Sequence, residues 1–231
     1  MNALSPEDHG RINAAIADAE TRTAGEIFCI VQRQASEYRD TPLAWAAALA
    51  LVGPALLIPF GFNPSWFDWV PGLGGWTAGH ASADEAVAAQ TLLYYAGVQA
   101  VVFLLAAAII SIRPLRTALT PRALKRERAH RAALEQFLAK GLHLTEGRTG
   151  VLIFASLGDR QAEVIADEGI YRKVKPEVWN EALARLTDGL KDGRPADGFV
   201  AAVGLCGAVL AEHFPPGSQN PNEIPDTLVE I

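Results

Sequence analysis

Two uncharged apolar runs, Leu43 to Phe62 and Leu92 to Ile112, interrupt a chain that is otherwise polar enough to fold in water. A helix needs about 20 apolar residues to cross ~30 Å of hydrocarbon, and each run is about that long. The sequence therefore predicts a transmembrane helix over 43–62, an extracytoplasmic loop over 63–91 and a second transmembrane helix over 92–112. Between Asn63 and Gln90 there is no Lys or Arg, only Asp68, Asp84 and Glu85. Arg33 and Arg39 precede the first run, and Arg113, Arg116, Arg122, Lys125, Arg126, Arg128 and Arg131 follow the second. Cations collect on the cytoplasmic side of a membrane protein, so both termini are expected in the cytoplasm, with the lipid bilayer as the first partner.

Other features of the two runs agree. Trp66, Trp69 and Trp76 in the loop, with Tyr94 and Tyr95 at the start of the second run, suit a water–lipid boundary. Pro54 and Pro59 predict kinks in the first run. Neither run carries an intramembrane charge, which argues against a pore or transport path. The net charge of −6 argues against a nucleic-acid partner, which needs a basic surface. Cys29 and Cys206 lie far apart inside apolar segments, so buried thiols are expected rather than a zinc site.

The polar remainder reads as one cytoplasmic domain split by the hairpin. Residues 5–33 open it. Ser5 is a helix N-cap, Pro6 fits the first turn, Glu7 and Asp8 suit the positive end of the dipole, and Ile12, Ala15, Ile16 and Ala19 share a face. Glu26 to Gln32 is a nearly continuous apolar strand. A lone strand and helix cannot bury themselves, so partners are expected within 122–214. Gly150 to Ser156 is a second apolar strand, Leu157 to Arg160 a turn, and Gln161 to Ala166 a returning strand. The first two strands should pair in parallel, because the connection between them is long. Helices are expected over 122–140, with Ala133, Leu134, Phe137 and Leu138 on one face, over 176–191, and over 197–213 with Asp197 as N-cap. The last is apolar nearly all round but too short to span, so a core helix is expected. The tail 215–231, rich in Pro, Asn and Ser, is expected to be disordered.

The order helix, strand, insertion, helix, strand–turn–strand, helix, helix resembles the TPM domain family. The residues carrying the likeness are Ile12, Ala15, Ile16, Ala19, Glu20, Thr23 and Gly25 to Ile27, then Gly150 to Arg160, then Glu163 to Ile170. With its apolar insertion the chain is most similar to a bacterial membrane-anchored branch, placed at the inner membrane in two passes. The resemblance implies a small sheet with packed helices, an α/β sandwich. It also implies a divalent cation, calcium or magnesium, at acidic loops, with phosphatase activity in some members.

The acidic residues best matched to that pattern are Asp159, Asp167 and Glu168, with Asp197 as a fourth; a hard cation needs several such oxygens. Asp159 lies in the strand turn and Asp167 and Glu168 at the open end of the same hairpin, so they converge only if loops fold over the sheet. The basic residues Arg113, Arg116, Arg122, Lys125 and Arg126 suit anionic lipid headgroups or simply a solvated helix face. No phosphate-binding glycine loop, nucleophile elbow or histidine ligand spacing is present. Two function classes follow: a partner-binding, scaffold or assembly module that meets another membrane protein at the cytoplasmic face, and a divalent-cation-dependent phosphatase.

Overall fold

The computed structural model describes residues 4–57, 83–216 and 222–231. They divide into two compact units, Met1–Glu37 with Pro121–Ile231, and Tyr38–Thr120.

In the first unit, helix α1 (Pro6–Glu20) is closed by a capping box. Ser5 Oγ accepts from the Asp8 N–H and the Asp8 carboxylate accepts from the Ser5 N–H, each at 3.1 Å. Strand β1 (Glu26–Gln32) runs parallel to β2 (Gly150–Ser156), in register from Glu26 opposite Gly150 to Gln32 opposite Ser156. Strand β3 (Gln161–Ala166) returns antiparallel to β2. A short strand β4 (Val229–Glu230) adds to the free edge of β1, giving the mixed order β3-β2-β1-β4. The tail expected to be disordered over 215–231 therefore ends as part of the sheet. Its residues 217–221 lie outside the described residues.

Side chains alternate across the sheet, as the pleat requires. Ile27, Cys29, Val31, Val151, Ile153 and Ala155 face one core. That core is closed by α1, α7 (Asn180–Lys191) and α8 (Pro195–His213). Phe28, Ile30, Leu152 and Phe154 face the other, under Ala129, Ala133 and Phe137 of α5 (Arg122–Ala139). The result is the expected α/β architecture, a small sheet with helices on both faces.

Four helical details differ from expectation. Leu134 and Leu138 are 42% and 52% exposed rather than buried with Phe137, because α5 presents only a narrow stripe, Ala129, Ala133 and Phe137, to the sheet. The helix expected over 176–191 begins as a 3-10 turn, Pro176–Trp179, before α7. Helix α8 starts at Pro195, so Asp197 sits inside its first turn and does not cap it. A one-turn helix, α6 (Glu168–Tyr171), follows β3 where none was expected.

The second unit holds α2 (Asp40–Leu57), α3 (Ala83–Ile110) and α4 (Arg113–Leu119). Helices α2 and α3 pack on each other. Thr41 Oγ1 meets Thr120 Oγ1 at 3.2 Å, and Trp45 Nε1 donates to Leu119 O at 3.2 Å. Helix α3 begins at Ala83, inside the stretch expected as loop 63–91; residues 58–82, with the end of the first expected span, lie outside the described residues. By length and apolarity among the described residues, one helix alone suffices to cross a membrane, and it is the core helix Pro195–His213. Tyr95–Ile110 qualifies only together with α4, across a 99° bend, and the apolar stretch Asp40–Leu56 is shorter. A two-span hairpin is thus not shown.

Candidate functional site

The carboxyl ends of β1 and β2 hold a buried polar group. Leu157 and Gly158 donate backbone N–H bonds to Gln32 O and Arg33 O, at 2.9 and 2.8 Å, and this folds the β2–β3 turn against the chain leaving β1. A Cβ at position 158 would sit 2.8 Å from Arg33 O, so only glycine allows that approach. The turn carries Asp159 inward, 5% exposed. Its Oδ2 accepts from Ala35 N at 2.9 Å and from Ser156 Oγ at 2.8 Å. Its Oδ1 is buried and has no partner. Gln32, aligned with Ser156 and therefore on the same sheet face, likewise has a buried Oε1 without a partner. Buried acceptors are normally matched, so these two suit a hydrogen-bond donor from water or a ligand, or contact with a cation.

The other three predicted acids are elsewhere and engaged. Asp167 caps α6, accepting from Glu168 N at 2.6 Å. Arg148 pairs with it, Nε standing 2.9 Å from Oδ2 while Nη2 donates to Oδ1 at 3.2 Å. Glu168 is bound by Arg172 at 2.6 Å, which holds its carboxyl below the ordinary range. Asp197 is bound by Arg11 at 2.6 Å and faced by Arg194 at 3.4 Å, and the Arg11 bond lowers its pKa.

Asp159 and Asp167 stand at opposite ends of β3, about 20 Å apart at ~3.3 Å per residue. The predicted four do not assemble, and among the described residues no three His, Cys, Asp or Glu side chains form a group able to hold a metal ion. A cation such as calcium takes 6–8 oxygens. The donors at Asp159 and Gln32 fall short of that, so the residues do not make a protein-built cation cage.

The predicted headgroup residues fall on two elements: Arg113 and Arg116 on α4, and Arg122, Lys125 and Arg126 on α5. Arg113, Arg122 and Arg126 are exposed, Arg116 and Lys125 half-buried, and Arg116 Nε is buried without a partner. Cys29 and Cys206 are free, buried thiols, and burial pushes Cys206 up to about 12. Neither is poised for nucleophilic or redox work.

Sequence reasoning missed a second polar group, at the opposite end of β1. Glu26 is 4% exposed and accepts from Glu223 N at 3.4 Å and Ile224 N at 3.2 Å. Glu20 Oε1 accepts from Ile27 N at 2.8 Å. Burial, followed by the neighbouring Asp226 and Glu26, pushes Glu20 up to about 9. An open groove of about 610 Å³ lies nearby, with Glu146, Arg172, Lys173, His213, Phe214 and Glu223 on its walls. The only available sequence signal was Glu26 standing at the head of an otherwise apolar strand.

Comparison with known proteins agrees with this architecture. The NMR structure of the BA42 protein from the psychrophilic bacterium Bizionia argentinensis aligns over 100% of this chain and 97% of its own, at 16% identity and a TM-score of 0.55. At that identity the likeness is one of fold. No curated protein matches the sequence. The family model for the TPM domain matches residues 115–209, which include β2, β3 and most of α8, while α1 and β1 belong to the same compact unit from outside the matched range. Residues 115–209 thus match the TPM domain.

Proposed function

We propose that this chain is a TPM domain tethered to the cytoplasmic face of a bacterial inner membrane by the helices of residues 38–120, and that it serves there as a partner-binding or assembly module. The observation that carries the tether is the outward face of those helices. Leu51, Leu56, Leu104 and Leu105 are 59–65% exposed, with Leu49, Val52, Val101 and Ile109 also open. Apolar area costs about 25 cal/mol per Å² in water, and this many exposed large apolar side chains on two helices marks a membrane or protein contact. The cations that follow, from Arg113 to Arg126, suit anionic headgroups on the cytoplasmic side. The module reading is supported by Leu134, Leu138 and Leu144, which stay exposed on the TPM unit. Another membrane protein is the partner this suits. Alkaline carbonate extraction of cells expressing the full chain tests the tether: the protein is expected in the membrane pellet, and recovery in the supernatant would overturn it.

One atom favours a second reading, a divalent-cation-dependent phosphatase. Asp159 Oδ1 is a buried acceptor with nothing to accept from, in the turn that the family pattern marks. Asp167 and Glu168 stand at the opposite end of β3 and Asp197 is held by Arg11, so on this reading the remaining oxygens around the cation would come from Gln32, water and the substrate. Titration calorimetry of calcium and of magnesium into the detergent-solubilised chain separates the two. Binding heat and phosphate-ester hydrolysis that both vanish in Asp159→Asn would favour the enzyme, and the absence of both favours the module.

A further inference from the structure

Residues 222–231 lie along the free edge of β1, and most of what holds them is aimed at their backbone. Glu26, buried at the head of β1, accepts from Glu223 N at 3.4 Å and Ile224 N at 3.2 Å. Asn13 Oδ1 on α1 accepts from Leu228 N at 2.8 Å. Strand β4 pairs Val229 and Glu230 with Ile30 and Val31. Ile231 then donates to Val31 O at 3.0 Å and accepts from Arg33 N at 3.3 Å. Two side chains add polar contacts: Glu223 accepts from Glu146 N, and Glu230 stands 3.6 Å from His9. Leu228 alone is buried, in the core closed by α1, α7 and α8, while Ile224 and Val229 pack half-buried against the other core.

Such contacts are those of peptide recognition. An added strand gains affinity from its main chain, and pockets for a few side chains give specificity. Here the main-chain readers are Glu26, Asn13 and the β1 edge, and the pocket is the socket of Leu228. Glu26 restricts what can sit there. Among the described residues its carboxyl group accepts from the N–H groups of Glu223 and Ile224 and from nothing else. A buried acceptor left unmatched is costly, and a bare strand edge exposes the Val31 carbonyl and the Arg33 N–H. Simple release of the segment is therefore disfavoured. Another extended peptide can replace it, because it returns N–H donors to Glu26 and Asn13 and a ladder to β1. A phosphate or a metal ion brings neither.

We propose that the free edge of β1, with Glu26, Asn13 and the Leu228 socket, is a peptide-binding site that residues 222–231 fill in cis. Its outside ligand is an extended segment of another protein, added parallel to β1, with an apolar residue in the Leu228 socket, another four positions earlier and a β-branched one directly after, as Ile224, Leu228 and Val229 stand in the chain itself. The chain's own segment is then an autoinhibitor, and an outside ligand enters by strand exchange. All of these groups lie in one compact unit, apart from the exposed Leu134 and Leu138, and the site does not depend on a membrane tether.

A fluorescent peptide of residues 222–231, added to the full chain in detergent, tests the site. In wild type, millimolar peptide should speed hydrogen exchange of the chain's own residues 222–231 and leave residues 150–156 unchanged. In Leu228→Asp, which puts a charge in the socket and loosens the cis segment, the peptide should bind at least about tenfold more tightly than in wild type, read by anisotropy. The chain ended after Pro221 opens the site without a charge and should behave alike. Methylating the peptide nitrogen of Leu228 removes the donor to Asn13 and should weaken binding about tenfold. Wild-type exchange at 222–231 that ignores the peptide would overturn the proposal. So would equal binding by wild type and an opened chain whose residues 150–156 stay protected, or a scrambled peptide that binds as tightly. A wild-type dimer that separates in Leu228→Asp would place a second copy's segment at the edge and overturn it too.

Discussion

The split domain can be tested at Ile30. The residue lies fully buried in β1, opposite Phe154 of β2 on one side and Val229 of β4 on the other. It belongs to the core that α5 covers. Ile30→Ala removes three carbons, worth about 0.8 kcal/mol each by transfer, or roughly 2.4 kcal/mol. The cavity left between two strands adds to that, since surrounding structure relaxes only in part, and brings the expected loss to about 3–4 kcal/mol. That is a large share of a domain's ~5–15 kcal/mol. For a unit of this size it corresponds to a fall of about 10 °C in melting temperature. The assay is hydrogen exchange of the full chain in detergent, read at residues 150–166, which are more than a hundred positions from the substitution. If β1 is a true inner strand of the domain, those residues lose protection by the full increment. Wild-type protection at 150–166 beside a loosened 26–32 would refute the single split domain.

Further substitutions probe separate parts of the account. In Gly150→Ala the new Cβ would meet Leu142 O at 2.4 Å, a backbone atom that cannot swing away, so a loss of about 1–3 kcal/mol is expected in thermal melts. Arg148→Met leaves the buried Asp167 carboxylate without its ion pair and should cost about 3 kcal/mol, whereas Arg172→Met, acting on exposed Glu168, should leave the melting temperature nearly unchanged. Ser5→Ala opens the capping box and should lower stability by about 1 kcal/mol, with extra exchange confined to the first turn of α1.

Much of the sheet was legible in the chain because it obeys one rule. Strands β1 and β2 are buried on both faces, so they read as unbroken apolar runs, and their long separation allows the parallel pairing that is found. Strand β4 follows no such rule. It is two residues long, held by backbone bonds and by carboxyls from far along the chain, and a Pro- and Asn-rich approach disguises it. The candidate acids mislead for a related reason. Asp197 and Arg11 are 186 positions apart, and Asp167 is met by an arginine across a turn, so nothing local distinguishes an ion-paired acid from a free ligand. Asp167 was readable as a helix cap, standing directly before Glu168-Gly169. Asp159 was readable as a turn residue, but its burial depends on Gly158 closing on Arg33, a contact between distant segments. Glu20 resembles any surface acid at a helix end until Asp226 is brought to it.

The central proposal is that a membrane hairpin is inserted into one cytoplasmic domain, and reporter topology tests it most directly. Alkaline phosphatase folds only outside the cytoplasm. Fused within residues 63–82 it should be active, and fused after Ile231 it should be inactive, with a cytoplasmic fluorescent reporter giving the opposite pattern at the same two sites. Activity at the C-terminus, or inactivity at the loop, would contradict the inserted hairpin and the tether that rests on it.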